Sequence, residues 1–245
     1  MTTTRFSSRE GTRAPAVDLR LRQDGQWTTV NTGELFAGKK VVVFSLPGAF
    51  TPTCSTSHVP RYDELAGAFA EAGVDAIYCV SVNDTFVMDA WAADQGVEHV
   101  QMLPDGNGDF SEAMGMLVDK AELGFGKRSW RYSMLVEDGE ITKHFVEPDV
   151  PGDPYEVSDA DTMLAHVAPE AKPTPDIFLL TKPFCGHCAR AKSMLTEAGL
   201  PYEAVDANPR MLRAVSTTAT TPRVFVDGQL IGGADELGEW LAARG

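Results

Sequence analysis

The apolar positions fall into two successive series of strand and helix patterns separated by a proline-rich break. In the first series, residues 41–46 form an apolar run that reads as a buried strand ending at Pro47-Gly48. Val59, Tyr62, Leu65 and Phe69 then recur at three- and four-residue spacing, which predicts a helix stopping near Gly73 and kinked at Pro60. Strand patterns follow over 74–82, 99–103, 132–137 and 141–146, and Asp138-Gly139 between the last two is a hairpin signal. A helical stretch containing Phe86, Val87, Ala90 and Trp91 lies between the first two of these, and another helix is expected over 158–167. Strands alternating with helices, plus one antiparallel hairpin, predict an α/β sheet with helices on its faces.

The run 168–176 has three prolines in nine residues and reads as a short semi-rigid linker. After it the β-α-β pattern starts afresh: strand 176–181, helix 185–198, strand 202–206, a helix from Pro209, strand 223–227, and a last helix 235–244. The expected organisation is therefore a first domain over 1–167, a linker over 168–175 and a smaller second domain over 176–245. Each half places a cysteine directly after its first long strand.

With 43% hydrophobic and 23% charged residues, the 245-residue chain has ordinary globular material for two cores. The formal charge of −14 excludes a nucleic-acid or anionic-membrane surface, because the summed field repels phosphate. Without an apolar leader or a run of ~18 apolar residues, the protein is expected to be soluble, unexported and cytoplasmic. Four cysteines make no disulfide framework, so they are read as thiols in a reducing compartment.

Two unlike thiol sites carry the chemistry. Cys54 ends the segment Pro47-Gly-Ala-Phe-Thr-Pro-Thr-Cys54. A cysteine attacks as its thiolate and needs help from its neighbours to do so. Pro52 suits a first helical turn, whose N–H groups would face the sulfur, and the Thr51 hydroxyl can bond the thiolate and a peroxide oxygen. Arg128 or Arg131 can supply the cation for the departing oxygen. His58, one turn on, can lean toward this pocket or serve packing. Cys79 sits inside an apolar strand and is read as core.

The second site is Cys185-Gly-His-Cys188 at the start of a helix. The first sulfur faces the positive end of the helix and its unpaired N–H groups, which favours a thiolate, and the second lies one turn on within disulfide reach. Cys185 is thus the expected nucleophile. Zinc would need a second pair of ligands, and Cys54 and Cys79 are committed elsewhere, so no metal is expected.

The loop around Cys54, with Ser-Thr-Ser-His-Val-Pro60 after it, Val80-Ser-Val-Asn-Asp84 and Arg131-Tyr-Ser-Met134, resembles the peroxiredoxins, in particular the type-five subfamily, over about 12–167. The resemblance implies a thioredoxin-like fold, Cys54 as the peroxidatic cysteine, Thr51 as its hydrogen-bonding partner, and Arg131, before the aromatic-Ser-Met strand, as the charge-stabilising residue. Arg128 is then a surface or supporting charge. The segment 147–155 lacks the resolving cysteine of two-cysteine members, so an external thiol is expected.

Lys182-Pro-Phe-Cys185-Gly-His-Cys188, Thr221-Pro222 and Gly232-Gly-Ala-Asp235 together resemble a glutaredoxin over about 174–245. The resemblance implies a second thioredoxin-like domain and a cis Pro222 that sets the Thr221 backbone beside Cys185. It also implies a glutathione site in which Lys182 holds the glycine carboxylate. By the same resemblance the Gly233-Ala234-Asp235 turn would take the γ-glutamyl end, with helix N–H groups on its carboxylate and Asp235 on its amine. Gly186-His187 and Ala234 depart from the commoner glutaredoxin residues.

The expected activity is a glutathione-dependent peroxidase acting on hydrogen peroxide and alkyl hydroperoxides, with glutathione as co-substrate and no bound cofactor. The nine proline-rich residues 168–176 reach roughly 28 Å at about 3.1 Å per residue, which raises a homo-oligomer in which a neighbouring subunit's second domain docks. The alternatives are a general protein-disulfide or deglutathionylating oxidoreductase, and a redox-sensing holdase.

Overall fold

The computed structural model describes residues 6–23, 25–170 and 174–244. Its internal contacts divide the chain into two units, Met1–Ala171 and Lys172–Gly245.

The first unit opens with an antiparallel hairpin, β1 (Asp18–Gln23) and β2 (Gln26–Asn31), followed by the short α1 (Thr32–Phe36). Asn31 caps that helix by accepting from the Gly33 and Glu34 amides. Then come β3 (Lys40–Ser45), α2 (Val59–Glu64), α3 (Ala66–Glu71), β4 (Ala76–Ser81), α4 (Thr85–Gln95), β5 (Gln101–Pro104) and α5 (Asp109–Ala113). The unit closes with β6 (Leu117–Asp119), β7 (Lys127–Ser129), β8 (Tyr132–Glu137), β9 (Glu140–Val146) and α6 (Ala160–Val167).

The main sheet has the order β5-β4-β3-β8-β9, with β3, β4 and β5 parallel and β8 and β9 antiparallel to their neighbours. Its central strand is buried on both faces, which is why 41–44 is continuously apolar and Ser45 satisfies its hydroxyl on the Val80 carbonyl. Val42 and Phe44 face a core shared with Cys54, Tyr62, Trp91 and Met163, while Val41 and Val43 face another built on Phe36, Tyr78, Phe110 and Trp130. Each such buried side chain contributes about 1.5–3 kcal/mol of apolar burial. The β8–β9 turn holds Asp138 at φ 46° and Gly139 at φ 77°, the left-handed pair that a two-residue hairpin loop needs.

The helix expected through 59–73 is broken in two and preceded by a separate turn. Chain 54–58 is a π-helical turn in which the Val59 amide donates to the Cys54 carbonyl, five residues back. Pro60 has no N–H for the ordinary α bond and sits instead in the first turn of α2, and a second break at Leu65 starts α3. The β1–β2 hairpin, α5 and the β6–β7 pair have no counterpart in the sequence expectation. Only Leu19 and Leu21 are buried in the first hairpin, so its apolar signal is sparse.

The second unit consists of β10 (Ile177–Thr181), α7 (Gly186–Glu197), β11 (Glu203–Asp206), α8 (Pro209–Val215), β12 (Arg223–Val226), β13 (Gln229–Gly232) and α9 (Ala234–Arg244). Its sheet runs β11-β10-β12-β13, with β10 and β11 parallel and the others antiparallel. Leu179, Ala191, Leu195, Val224 and Leu237 form its core between sheet and helices. The short β13 was not anticipated, because Gln229 and Leu230 are exposed and the strand lies at a sheet edge. No helix among the described residues is long and apolar enough to cross a membrane.

Candidate active site

Cys54 follows β3 across the Pro47–Thr53 loop, and Phe50 bends that loop with a positive φ of 61°. The helix begins at Pro52, as its fixed φ favours, and the sulfur is fully buried at the first π turn. Opposite, on the approach to β8, Arg131 is 1% exposed and its Nη1 lies 3.6 Å from Cys54 Sγ. The two residues are 77 positions apart and meet because β3 and β8 are hydrogen-bonded neighbours.

Arg131 is held on three sides. Its Nη2 donates to both Asp153 oxygens at 2.5 and 2.6 Å. Its Nη1 lies 3.0 Å from His58 Nδ1, and its guanidinium carbon sits 5.5 Å from the Tyr155 ring centroid. Burial alone would lower its pKa, but the Cys54 sulfur and the Asp153 carboxylate outweigh that and hold it above the ordinary value. The guanidinium is therefore a permanent charge facing the sulfur.

Asp153 and Tyr155 come from the 147–158 segment, where sequence reasoning saw only the lack of a cysteine. Glu147 orders that segment. Its buried carboxylate accepts from the amides of Glu156, Val157 and Ser158 and from the Ser158 hydroxyl, at 2.7–3.0 Å. Its own amide donates to the Arg131 carbonyl at 3.2 Å.

Thr51 differs from its expected role, since its hydroxyl donates to the Gly48 carbonyl at 2.8 Å and closes its own turn. It must rotate off that carbonyl before it can donate to the sulfur or to a peroxide. Arg128 donates to the Val82 and Lys127 carbonyls at 3.2 and 2.9 Å, tying the loop ends together. Cys79 is fully buried, and burial, reinforced by Cys54, pushes its thiol well up. That keeps it a protonated core residue.

In the second unit, Cys185 is the N-cap of α7, and its sulfur accepts from the Cys188 amide at 3.1 Å. The two sulfurs form a disulfide with Cα atoms 5.2 Å apart. Phe184, just before, has a φ of 58° and is fully exposed. The Thr221–Pro222 bond is cis, and Thr221 O and Oγ1 lie 3.7 and 3.6 Å from Cys185 Sγ. Lys182 lines an open groove with Cys185, Lys192 and Asp206.

At the 233–235 turn the chain's own side chains already hold the polar groups. The Gly233 amide donates to Glu236 Oε2 at 2.7 Å, and Asp235 is paired with Arg190. A carboxylate three residues into a helix naturally turns back to its first free N–H. The sequence expectation gave the Gly233 to Asp235 turn to the γ-glutamyl end of glutathione; here the Gly233 amide and the Asp235 carboxylate are engaged within the chain. Among the described residues no group of three or more His, Cys, Asp or Glu side chains is placed to hold a metal ion.

The redoxin family model matches residues 9–164 and the glutaredoxin model residues 177–231. The hybrid peroxiredoxin hyPrx5 of Haemophilus influenzae is 55% identical over 241 residues, 97% of this chain and all of the relative. A Synechocystis peroxiredoxin, sll1621, is 58% identical over 146 residues, 58% of this chain and 77% of its own. Among solved structures, reduced Prx3 of Vibrio vulnificus in complex with hydrogen peroxide superposes with a TM-score of 0.61 at 44% identity, covering 64% of this chain and 98% of that one. The 1-Cys peroxiredoxin of Plasmodium falciparum gives 0.62 at 34% identity over 65% and 98%. With a redoxin half and a glutaredoxin half, both α/β and thioredoxin-like, and a relative that matches from end to end, the chain belongs to the hybrid peroxiredoxins and is a thiol peroxidase.

Proposed function

We propose that the protein reduces hydrogen peroxide and alkyl hydroperoxides with glutathione, using Cys54 as the peroxidatic cysteine and the second domain as its reductase. The observation that carries this reading is the buried guanidinium of Arg131, 3.6 Å from Cys54 Sγ. Cys54 thiolate attacks one peroxide oxygen, the O–O bond breaks, and water or alcohol leaves after taking up a proton. Arg131 stabilises the charge that develops on the departing oxygen. Thr51, once off Gly48, directs the peroxide.

The resulting sulfenic acid condenses with one glutathione, losing water and forming a mixed disulfide on Cys54. Cys185 thiolate then attacks the glutathione sulfur, frees Cys54 and carries the glutathione until a second one removes it as glutathione disulfide. Two glutathiones are oxidised for each peroxide reduced. Cys188 provides a side path by closing the Cys185–Cys188 disulfide, which two glutathiones reopen. Lys182 receives the glycine carboxylate, Thr221 pairs with the tripeptide backbone, and the 233–235 turn receives its γ-glutamyl end after Glu236 and Asp235 let go.

The reaction belongs in a glutathione-containing cytoplasm. Because the linker is short, the reductase domain of a neighbouring subunit in a homo-oligomer serves Cys54. The test is peroxide consumption with glutathione by wild type, Cys54→Ser and Cys185→Ser. The first variant is expected to be dead and the second to lose most of its turnover. An active Cys54→Ser chain would point instead to a general disulfide oxidoreductase.

A further inference from the structure

His58 is fully buried, bears on Arg131 and has no part in the chemistry above. We infer that it is a positioning residue for the peroxidase step: its neutral imidazole takes one Nη1 hydrogen of Arg131 and so aims the other at Cys54 Sγ. This rests on the reading of Cys54 and Arg131 as the reacting thiol and its cation.

The partners determine the ring's proton. Nε2 lies 3.2 Å from the Ser158 carbonyl, which only accepts, so Nε2 carries the hydrogen. Nδ1 lies 3.0 Å from Arg131 Nη1, which only donates, so Nδ1 presents a lone pair. An imidazolium in the same place would lose that lone pair and set two cations against each other. Burial and then Arg131 itself hold the His58 pKa well below the ordinary value, in keeping with the neutral form.

The ring is also fixed in direction. Phe44, Tyr155 and Tyr62 surround it at centroid distances of 4.7, 5.0 and 5.6 Å. Arg131 thus has Nη2 engaged by Asp153 and one Nη1 hydrogen by His58, and the remaining Nη1 hydrogen faces the sulfur. Asp153 fixes the Nη2 side and the Tyr155 ring lies against the guanidinium, but neither directs the Nη1 hydrogens. The imidazole supplies the second fixed point.

Three variants of the full-length chain separate this from packing. In His58→Asn, Oδ1 stands where Nδ1 stood and still accepts from Arg131, but the Ser158 bond is lost. In His58→Gln the amide reaches toward Ser158 and a methylene replaces Nδ1. His58→Leu keeps volume and loses both bonds. The readout is the second-order rate of Cys54 with hydrogen peroxide, measured by competition with a haem peroxidase, alongside the melting temperature.

Loss of one hydrogen bond to a charged group predicts a roughly 10- to 100-fold slower reaction for Leu and Gln, with Asn within about threefold of wild type. A packing role predicts the reverse order, with Leu and Gln ahead of the smaller Asn. Either that order or equal, wild-type rates in all three would overturn the inference. If the Leu chain does not fold, the Asn and Gln comparison decides alone. A wild-type chain that fails to compete for peroxide would instead refute the peroxidase reading, and this inference with it.

Discussion

Arg131 brings a full charge to a place where only 1% of the residue is exposed, and it is tolerable there because Nη1 and Nη2 meet His58, Cys54 and Asp153 and the Tyr155 ring lies against the guanidinium, leaving Nε alone without a partner. Arg131→Lys keeps the charge but cannot reach Asp153, His58 and Cys54 together. It should slow Cys54 oxidation by about 10²-fold, as loss of an oxyanion donor does, which the same competition assay would measure. A second buried histidine makes a pH prediction. His144 accepts from the Arg9 amide at 3.0 Å, and burial lowers its pKa to about 4. Unfolded, it titrates near 6.5, so between pH 6.5 and 4 the unfolded chain binds more protons and stability falls with pH. The full effect is about 3 kcal/mol. Glu10, held low by the His144 amide and Lys143, adds its loss only below its ordinary range. His58 loses stability with the same sign. Urea unfolding at pH 7, 6 and 5 should show a shallower acid loss in His144→Asn, and an unchanged slope would refute this assignment.

At the scale of elements, the π turn 54–58 and the two six-residue helices after it are poor local structure around a reactive sulfur. A peroxide is small enough for a buried cysteine, but glutathione is not, so the proposed attack of glutathione on oxidised Cys54 requires this segment to open. Amide exchange over 52–58 should therefore speed up on peroxide treatment while β3 and β8 stay protected. Glu147 is the opposite case, one side chain that fixes a segment. Glu147→Gln offers a single acceptor and turns an NH₂ toward amide donors, which should cost about 2–3 kcal/mol in urea unfolding and slow Cys54 oxidation by loosening Asp153. Legibility follows the same division. Strands β3, β4, β8 and β9 were readable because burial on one or both faces writes itself into alternation or continuity. The β1–β2 hairpin was not, having two buried residues on one face. Asp153 was invisible because a loop residue 22 positions from its partner leaves no periodic trace. His58 was visible as a residue, but its spacing suited pocket and core equally, and its proton is assigned by Arg131 and Ser158, 73 and 100 positions away.

For the whole molecule, charge is divided unevenly. Residues 172–245 carry eight basic and eight acidic side chains, so the entire −14 belongs to the peroxidase half. That half repels the anionic tripeptide, whereas the glutaredoxin half offers Lys182 and Lys192 beside Cys185. Such a split suits a relay in which glutathione leaves through the second domain. If a neighbouring subunit supplies that domain, mixing Cys54→Ser and Cys185→Ser chains should restore turnover that neither has alone. Lack of complementation would place the exchange within one chain.

The central claim is that glutathione passes from Cys54 to Cys185, and intact mass spectrometry after one equivalent of hydrogen peroxide and excess glutathione tests it most directly. The Cys185→Ser chain should accumulate one glutathione, mapped to Cys54, while the wild-type chain under the same conditions keeps Cys54 free. A Cys185→Ser chain that clears Cys54 as fast as wild type, or never acquires the adduct, would contradict the account.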